Sequence, residues 1–445
     1  MTFQPSNRRQ FLTSTGSAFA ALMASGCMTR GASLSSAAAS FSDYGPLKPD
    51  PAGMLDLPEG FSYRLLSSLG DAMSDGGRVP DKADGMGCLD IGNGEIALVR
   101  NHELIPTDDA GGAIAKGFGT WNGEITPGGT TNIVVDANTL EVKRQFRTLG
   151  GTIRNCSGGV TPWGTWLTCE EAPTGPGQRY GDGLAVNHGW TFEVPGNATG
   201  LVDPVPLRAL GRFNHEAACV DPVNGYVFQT EDRDDGVLYR FMPNRPGRLS
   251  EGGRLQAMSI EGVPDTRNWN AADMPLRQRY TVDWIELEDV ESPNDDLRLQ
   301  AVAKGASVIA RGEGIHMGWN EFYFCSTSGG AKKLGQIFRF VLGHDRARDS
   351  VELFFESEDI KQFNYGDNLC VSPNGHLLVC EDAYTDTVDN HIRGITPDGR
   401  PYDFARLNMQ TELAGGCFSP DGKWFFVNAY APTRTVAITG PWAKS

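Results

Sequence analysis

A short phrase recurs six times along this chain, and most copies end in acid or amide. The copies lie at residues 86–103, 158–171, 218–232, 315–330, 369–382 and 417–430. Each reads as a short apolar strand, a polar turn (NG, WG, NG, WN, NG, DG) and a second strand with alternating apolar positions, which is the pattern of a β-hairpin. A hairpin unit repeated at intervals of tens of residues marks a propeller or a solenoid. The second strands lead into Asn101-His102-Glu103, Glu170-Glu171, Glu231-Asp232, Ser326-Thr327, Glu381-Asp382 and Asn428. If equivalent strands aim their ends at one axis, carboxylates far apart in sequence converge there. Such a crowd, held away from water, needs cations. The expected fold is therefore all-β, a metal-centred, six-bladed β-propeller with inter-blade insertions.

The chain has 445 residues, more than one core usually holds, but a propeller grows by adding blades and stays one domain. Residues 41–445 are expected to form that domain. The longest gap between copies, about 242–300, reads as an insertion carrying a short helix near 282–290. Residues 108–124 read as a glycine-rich rim loop, and the stretch 404–412 brings Glu412 towards the centre. No apolar run is long enough to span a bilayer. A net charge of −16 argues against nucleic acid and anionic membranes as partners. It does not exclude an anionic substrate, because bound cations invert the local field. A monomer is the default expectation.

Residues 1–40 read as an export signal. Ser6-Asn7-Arg8-Arg9-Gln10-Phe11-Leu12 has the twin-arginine pattern, and a weakly apolar stretch follows at 13–23. The twin-arginine export machinery is thus an expected partner, and the periplasm or cell envelope the expected location. Ala24-Ser25-Gly26-Cys27 resembles a lipobox and makes Cys27 a candidate lipid anchor; cleavage among the small residues 33–40 is the alternative.

Of nine cysteines, Cys88, Cys169, Cys219, Cys325, Cys370, Cys380 and Cys417 lie in or beside the repeated strands and read as small core residues. Cys156 differs. It sits in the polar, glycine-rich Arg154-Asn155-Cys156-Ser157-Gly158-Gly159, where the plain reading is a loop thiol and the functional one a metal ligand or a nucleophile. His102 and His215 each precede a glutamate and are expected to orient it. His188, His344, His376 and His391 read as surface polar residues.

The segment Asn155-Cys156-Ser157-Gly158-Gly159-Val160-Thr161-Pro162-Trp163-Gly164-Thr165-Trp166, with Thr168-Cys169-Glu170-Glu171, resembles the central motif of the PhoX family of alkaline phosphatases. Gly211-Arg212-Phe213-Asn214-His215-Glu216, Arg311-Gly312-Glu313-Gly314 and Asp367-Asn368 match the same pattern, as does the lead-in Leu57-Pro58-Glu59-Gly60-Phe61. The resemblance runs from about Tyr44 to the C-terminus. It implies a six-bladed propeller around ferric iron and calcium that hydrolyses phosphate monoesters. By resemblance Cys156 is an iron ligand, Glu216 and Glu313 belong to the same cluster, and Arg311 holds the substrate phosphate. A family asparagine that contacts phosphate corresponds to Asn132. Glu103, Glu170, Glu171, Glu231, Asp232, Glu381 and Asp382 stand where calcium and the remaining iron ligands are expected. The chain is shorter than the best-known members, so loops over the site differ.

The chemistry is consistent with that expectation. Excess hard oxygen suits calcium, and a lone thiolate among carboxylates suits iron. Arg311 suits bidentate contact with a phosphate, which Lys could not reproduce. Two other readings remain: a calcium-dependent lactonase or ester hydrolase, and a non-enzymatic propeller with structural calcium. Neither has a use for Cys156 together with Arg311.

Overall fold

The computed structural model describes residues 44–180, 182–344, 347–383 and 385–442. The twin-arginine pattern and Cys27 lie outside the described residues. What is described is strand and turn with almost no helix; the α-helix among the described residues, α1, spans Leu297–Ala303.

Six strands line the middle: β1 (Ala83–Gly92), β2 (Asn155–Val160), β3 (His215–Val220), β4 (Gly312–Met317), β5 (Gly366–Val371) and β6 (Leu413–Phe418). Each neighbours the next, and β6 neighbours β1, so the circuit closes. Each begins an antiparallel sheet that runs outwards. The β1 sheet continues through Glu95–His102, Gly128–Asp136 and Val142–Thr152, and the β2 sheet through Thr165–Glu170 and Thr191–Pro195. This is a propeller-like arrangement, and the repeated hairpins are the two strands of each sheet nearest the axis.

Closure joins the two ends of the described chain. Ser62–Ser68 pairs with Arg434–Thr439 and so completes the β6 sheet from the N-terminal side. Phe61 packs edge-on against Phe404 and Trp442 around that seam, and those two are tilted against each other, with ring centroids 4.9 to 5.3 Å apart.

The stretch 242–300 contributes sheet. Gly253–Ile260 is the fourth strand of the β3 sheet, and Arg279–Glu286 pairs with it on one side and with Ser350–Glu356 on the other. Two sheets thereby merge into one of nine strands. The helix expected at 282–290 is absent. Tyr280-Thr281-Val282-Asp283-Trp284-Ile285 is aromatic and β-branched and extends instead, while the helix forms later, at α1.

Cys88, Cys169, Cys219, Cys325, Cys370, Cys380 and Cys417 are buried and free, as small core residues are.

Small residues let the central strands approach one another. A Cβ on Gly159 of β2 would lie 1.8 Å from the carbonyl oxygen of Ala218 on β3, and one on Gly314 would lie 2.7 Å from the backbone of Asn368 on β5. Gly159→Ala is therefore expected to lower the thermal midpoint of the metal-loaded protein, at a cost of about 1–3 kcal/mol or more. Gly200→Ala, whose Cβ meets nothing within 4 Å, should leave the midpoint unchanged.

Candidate metal centre

One backbone hydrogen bond recurs around the axis and sets the register of the site. The residue after each second strand donates its N–H to the carbonyl of the residue before the first strand. The pairs are Glu103 to Lys82 (2.9 Å), Glu171 to Arg154 (2.8 Å), Asp232 to Asn214 (3.2 Å), Thr327 to Arg311 (2.9 Å), Asp382 to Tyr365 (2.9 Å) and Tyr430 to Glu412 (3.2 Å). Two residues further along each first strand stand Asp84, Cys156, Glu216, Glu313, Asp367 and Ala414. The first five of these positions fall in a β-bulge, where the ladder slips by one residue, and Ala414 is the last paired residue before the equivalent bulge. Bulges re-aim side chains and recur beside active sites.

Ligand atoms of Glu103, Cys156 and Glu171 lie within 4.8 Å of one another, and so do those of Glu216, Glu313 and Asp367; all six residues are buried. Cys156 Sγ lies 3.5 Å from Asp84 Oδ2, which links the first group to β1. Asp84 Oδ1 and both carboxylate oxygens of Glu216 are buried without a hydrogen-bond partner.

Burial, reinforced by the neighbouring carboxylates, pushes Asp84, Glu216 and Glu313 well above the usual carboxylate range. The Cys156 thiol is pushed up in the same way, and Asp367 rises to about 7 through burial and Asp382. Burial raises Glu171 too, against the pull of Arg154, and Glu412, which shares a hydrogen bond with Asp382. The chain alone cannot ionise all of these groups together. Orphaned oxygens, crowded hard donors and a single thiol fit cations.

Two arginines border the centre. Arg154 donates from Nε to Glu103 (2.6 Å) and from Nη2 to Glu171 (2.5 Å). Arg311 donates from Nε to Asp232 (2.7 Å) and from Nη2 to Glu313 (2.9 Å). Both stand at left-handed backbone, φ +49° and +48°. A non-glycine residue held there costs about 1–3 kcal/mol, and such strain gathers at functional sites.

The structure thus brings together Cys156, Glu103, Glu171, Glu216 and Glu313, with Asp232 held against Arg311 and Asp382 against Glu412. Three expected ligands lie elsewhere. Glu170 accepts hydrogen bonds from the N–H groups of Ile153 (2.9 Å), Gly189 (2.8 Å) and Trp190 (3.1 Å) and pairs with His188 Nδ1 at 2.6 Å. Glu381 is satisfied by Arg393 Nε (2.7 Å) and the N–H groups of Asn364 (2.8 Å) and His391 (3.0 Å). Glu231 accepts from Tyr239 OH at 2.8 Å, and burial raises its carboxyl to about 8. Successive strand residues face opposite ways, so only one of each acidic pair reaches the axis. Asn132 is also misplaced by the sequence reading. It sits on the third strand of its sheet, with Nδ2 bonded to Gly196 O (3.2 Å) and Oδ1 to Thr148 Oγ1 (3.0 Å).

Asp84 and Asp367 were absent from the expected ligand set, although they occupy the bulge position of Cys156, Glu216 and Glu313. Aligning the first strands as well as the second would have found them. The histidines also differ from expectation. His102 bonds Asp81 O and Thr131 Oγ1, both at 2.9 Å, and His215 stacks on Phe213 at 3.6 Å, so neither orients the following glutamate. His188, His376 and His391 are buried rather than on the surface.

The model of the family described as alkaline phosphatase PhoX matches residues 42–143 and 122–433. The chain belongs to the PhoX alkaline phosphatase family. It is accordingly a phosphoric monoester hydrolase of a metal-dependent family. Pseudomonas fluorescens PhoX in complex with vanadate, a transition-state analogue, shares its fold at a TM-score of 0.66 and 18% identity, over 87% of this chain and 96% of that one. A gluconolactonase of Xanthomonas campestris aligns at a TM-score of 0.42 and 13% identity, over 91% and 100% of the two chains. No curated protein matches the sequence.

The Asp367 carboxyl titrates near the usual 3.8 in the unfolded chain and at about 7 in the metal-free fold. The fold then binds the extra proton between those values, so stability is present below about pH 4 and lost as pH rises towards 7. Metal-free protein in chelator should show that falling melting curve between the two values. Metal-loaded protein should not, because cations replace the proton.

Proposed function

We propose that this PhoX-family phosphatase hydrolyses phosphate monoesters at an iron and calcium cluster on the axis of a six-bladed propeller. The carrying observation is a single thiol, Cys156, set among buried carboxylates, of which Asp84 and Glu216 keep oxygens without a hydrogen-bond partner. The sulfur neighbours Asp84 and Glu216 and marks the end of the centre suited to iron, while the all-oxygen Glu216, Glu313 and Asp367 group suits calcium. When bound, such a cluster supplies Lewis acidity towards the phosphoryl and leaving oxygens and a strong oxygen nucleophile. Arg311, one-fifth exposed and aligned by Asp232, binds and orients the phosphoryl group at the rim. Cys156 serves as a ligand and not as a nucleophile, because it is buried and its sulfur is turned to carboxylates.

The closed circuit of β1 to β6 supports six blades, with the nine-stranded sheet read as two blades joined by Arg279–Glu286. The twin-arginine pattern supports export of the folded, metal-loaded protein to the periplasm or envelope, with Cys27 as the candidate lipid anchor; a monomer of one propeller domain is the default form in this reading. Residues 1–40 are the signal in this reading. A calcium-dependent lactonase would leave both Cys156 and Arg311 without a role.

The test is metal analysis of exported protein purified without chelator, beside Cys156→Ala and with turnover of a chromogenic phosphate monoester. Iron and calcium in the wild type, with iron and turnover both lost in the variant, are expected. Calcium alone, unaffected by the substitution and without phosphate release, would sink the proposal.

A further inference from the structure

We propose that Arg154 is a second phosphate-binding arginine, related to Arg311 by the internal repeat. The inference rests on the phosphatase reading above and adds a residue to it.

The repeat makes the two residues equivalent. Each precedes the first strand of its sheet and stands two positions before a bulge residue, Cys156 for Arg154 and Glu313 for Arg311. Each accepts, through its carbonyl, the N–H of the residue leaving the second strand, at 2.8 and 2.9 Å. Both take the same left-handed backbone. The side chains repeat as well. Arg154 Nε donates to Glu103 and Arg311 Nε to Asp232, at 2.6 and 2.7 Å. Glu103 and Asp232 are themselves equivalent, each leaving the second strand of the preceding sheet.

Arg154 is therefore fixed at its Nε edge, as Arg311 is. Its Nη2 is used by Glu171, whereas Nη1 donates no hydrogen bond among the described residues. The side chain is 21% exposed, against 20% for Arg311, so both guanidiniums reach solvent beside the buried ligands. With Nε and Nη2 of Arg154 held by Glu103 and Glu171, its Nη1 is preorganised to donate to one phosphate oxygen. The competing account gives Arg154 only the task of holding Glu103 and Glu171 in place. That task uses Nε and Nη2 and leaves Nη1 unexplained.

The experiment compares wild type, Arg154→Lys and Arg154→Gln, each assayed for metal content. The readouts are the inhibition constant for inorganic phosphate, and KM and kcat for a chromogenic monoester. Arg154→Lys keeps a cation near Glu103 and Glu171 but not the fork. It should retain its metals while the phosphate inhibition constant rises about ten-fold, the scale of one charge-assisted hydrogen bond. A metal-loaded Arg154→Lys with wild-type KM and inhibition constant would overturn the proposal and leave Arg154 as a positioning residue for the carboxylates. If Arg154→Gln loses metal, the lysine variant still decides. A wild-type protein that neither binds phosphate nor turns over the ester would sink the phosphatase reading itself, before any variant is compared.

Discussion

Like charges forced together in a dry place govern this molecule. The central strands meet around one axis, and at the same bulged position five of six carry Asp84, Cys156, Glu216, Glu313 and Asp367. Burying a single unpaired carboxylate costs several kcal/mol, against a net stability of about 5–15 kcal/mol for a typical domain. The metal-free chain answers by holding protons, as the raised Asp84, Glu216, Glu313 and Asp367 carboxyls record. Cations answer it better, since they satisfy several oxygens at once. Binding and stability are in this way one free-energy term.

The architecture tolerates that charge because it is rigid elsewhere. Glu170 and Glu381 carry the same acidic group as the axial residues one position further on, yet each is enclosed by donors from its own sheet or from a nearby loop. They brace the strand ends and leave Glu171 and Asp382 to face the centre. The contrast lies in the partners: Glu170 has several donors, whereas Glu216 has none and must look to a ligand. A buried polar group without a partner in a native fold calls for such an explanation.

The same repetition that crowds the acids also spaces the residues around them. Lys82, Arg154, Asn214, Arg311, Tyr365 and Glu412 share one place in the repeat, just before the first strands. Five of them can donate hydrogen bonds. Arg154 and Asn214 donate to Glu171 and Arg311 donates to Glu313, so donors at this place in the repeat hold the axial acids.

The hairpin pattern, with strand, turn and strand copied at intervals, was legible in the sequence alone, because a period of two and turn residues such as Asn-Gly are local properties of the chain. So were the all-β class and the convergence of strand-end acids such as Glu103 and Glu171, whereas Cys156, Glu216 and Glu313 were joined to them only through the resemblance to the family motif. Strand facing and bulge position are not local in that sense. The pairs Glu170-Glu171, Glu231-Asp232 and Glu381-Asp382 look uniform as text, but alternation sends the members to opposite sides, and only the register shows which reaches the axis. Asp84 and Asp367 become ligand candidates only once a bulge turns them inwards, and Asn132 loses its role because its strand is the third from the axis. The strand at Arg279–Glu286 likewise exists because two neighbouring sheet edges pair with it. The sequence by itself determined which units repeat and which chemical groups they carry. The tertiary structure decided which of those groups meet, because meeting depends on pairing partners dozens to hundreds of residues away.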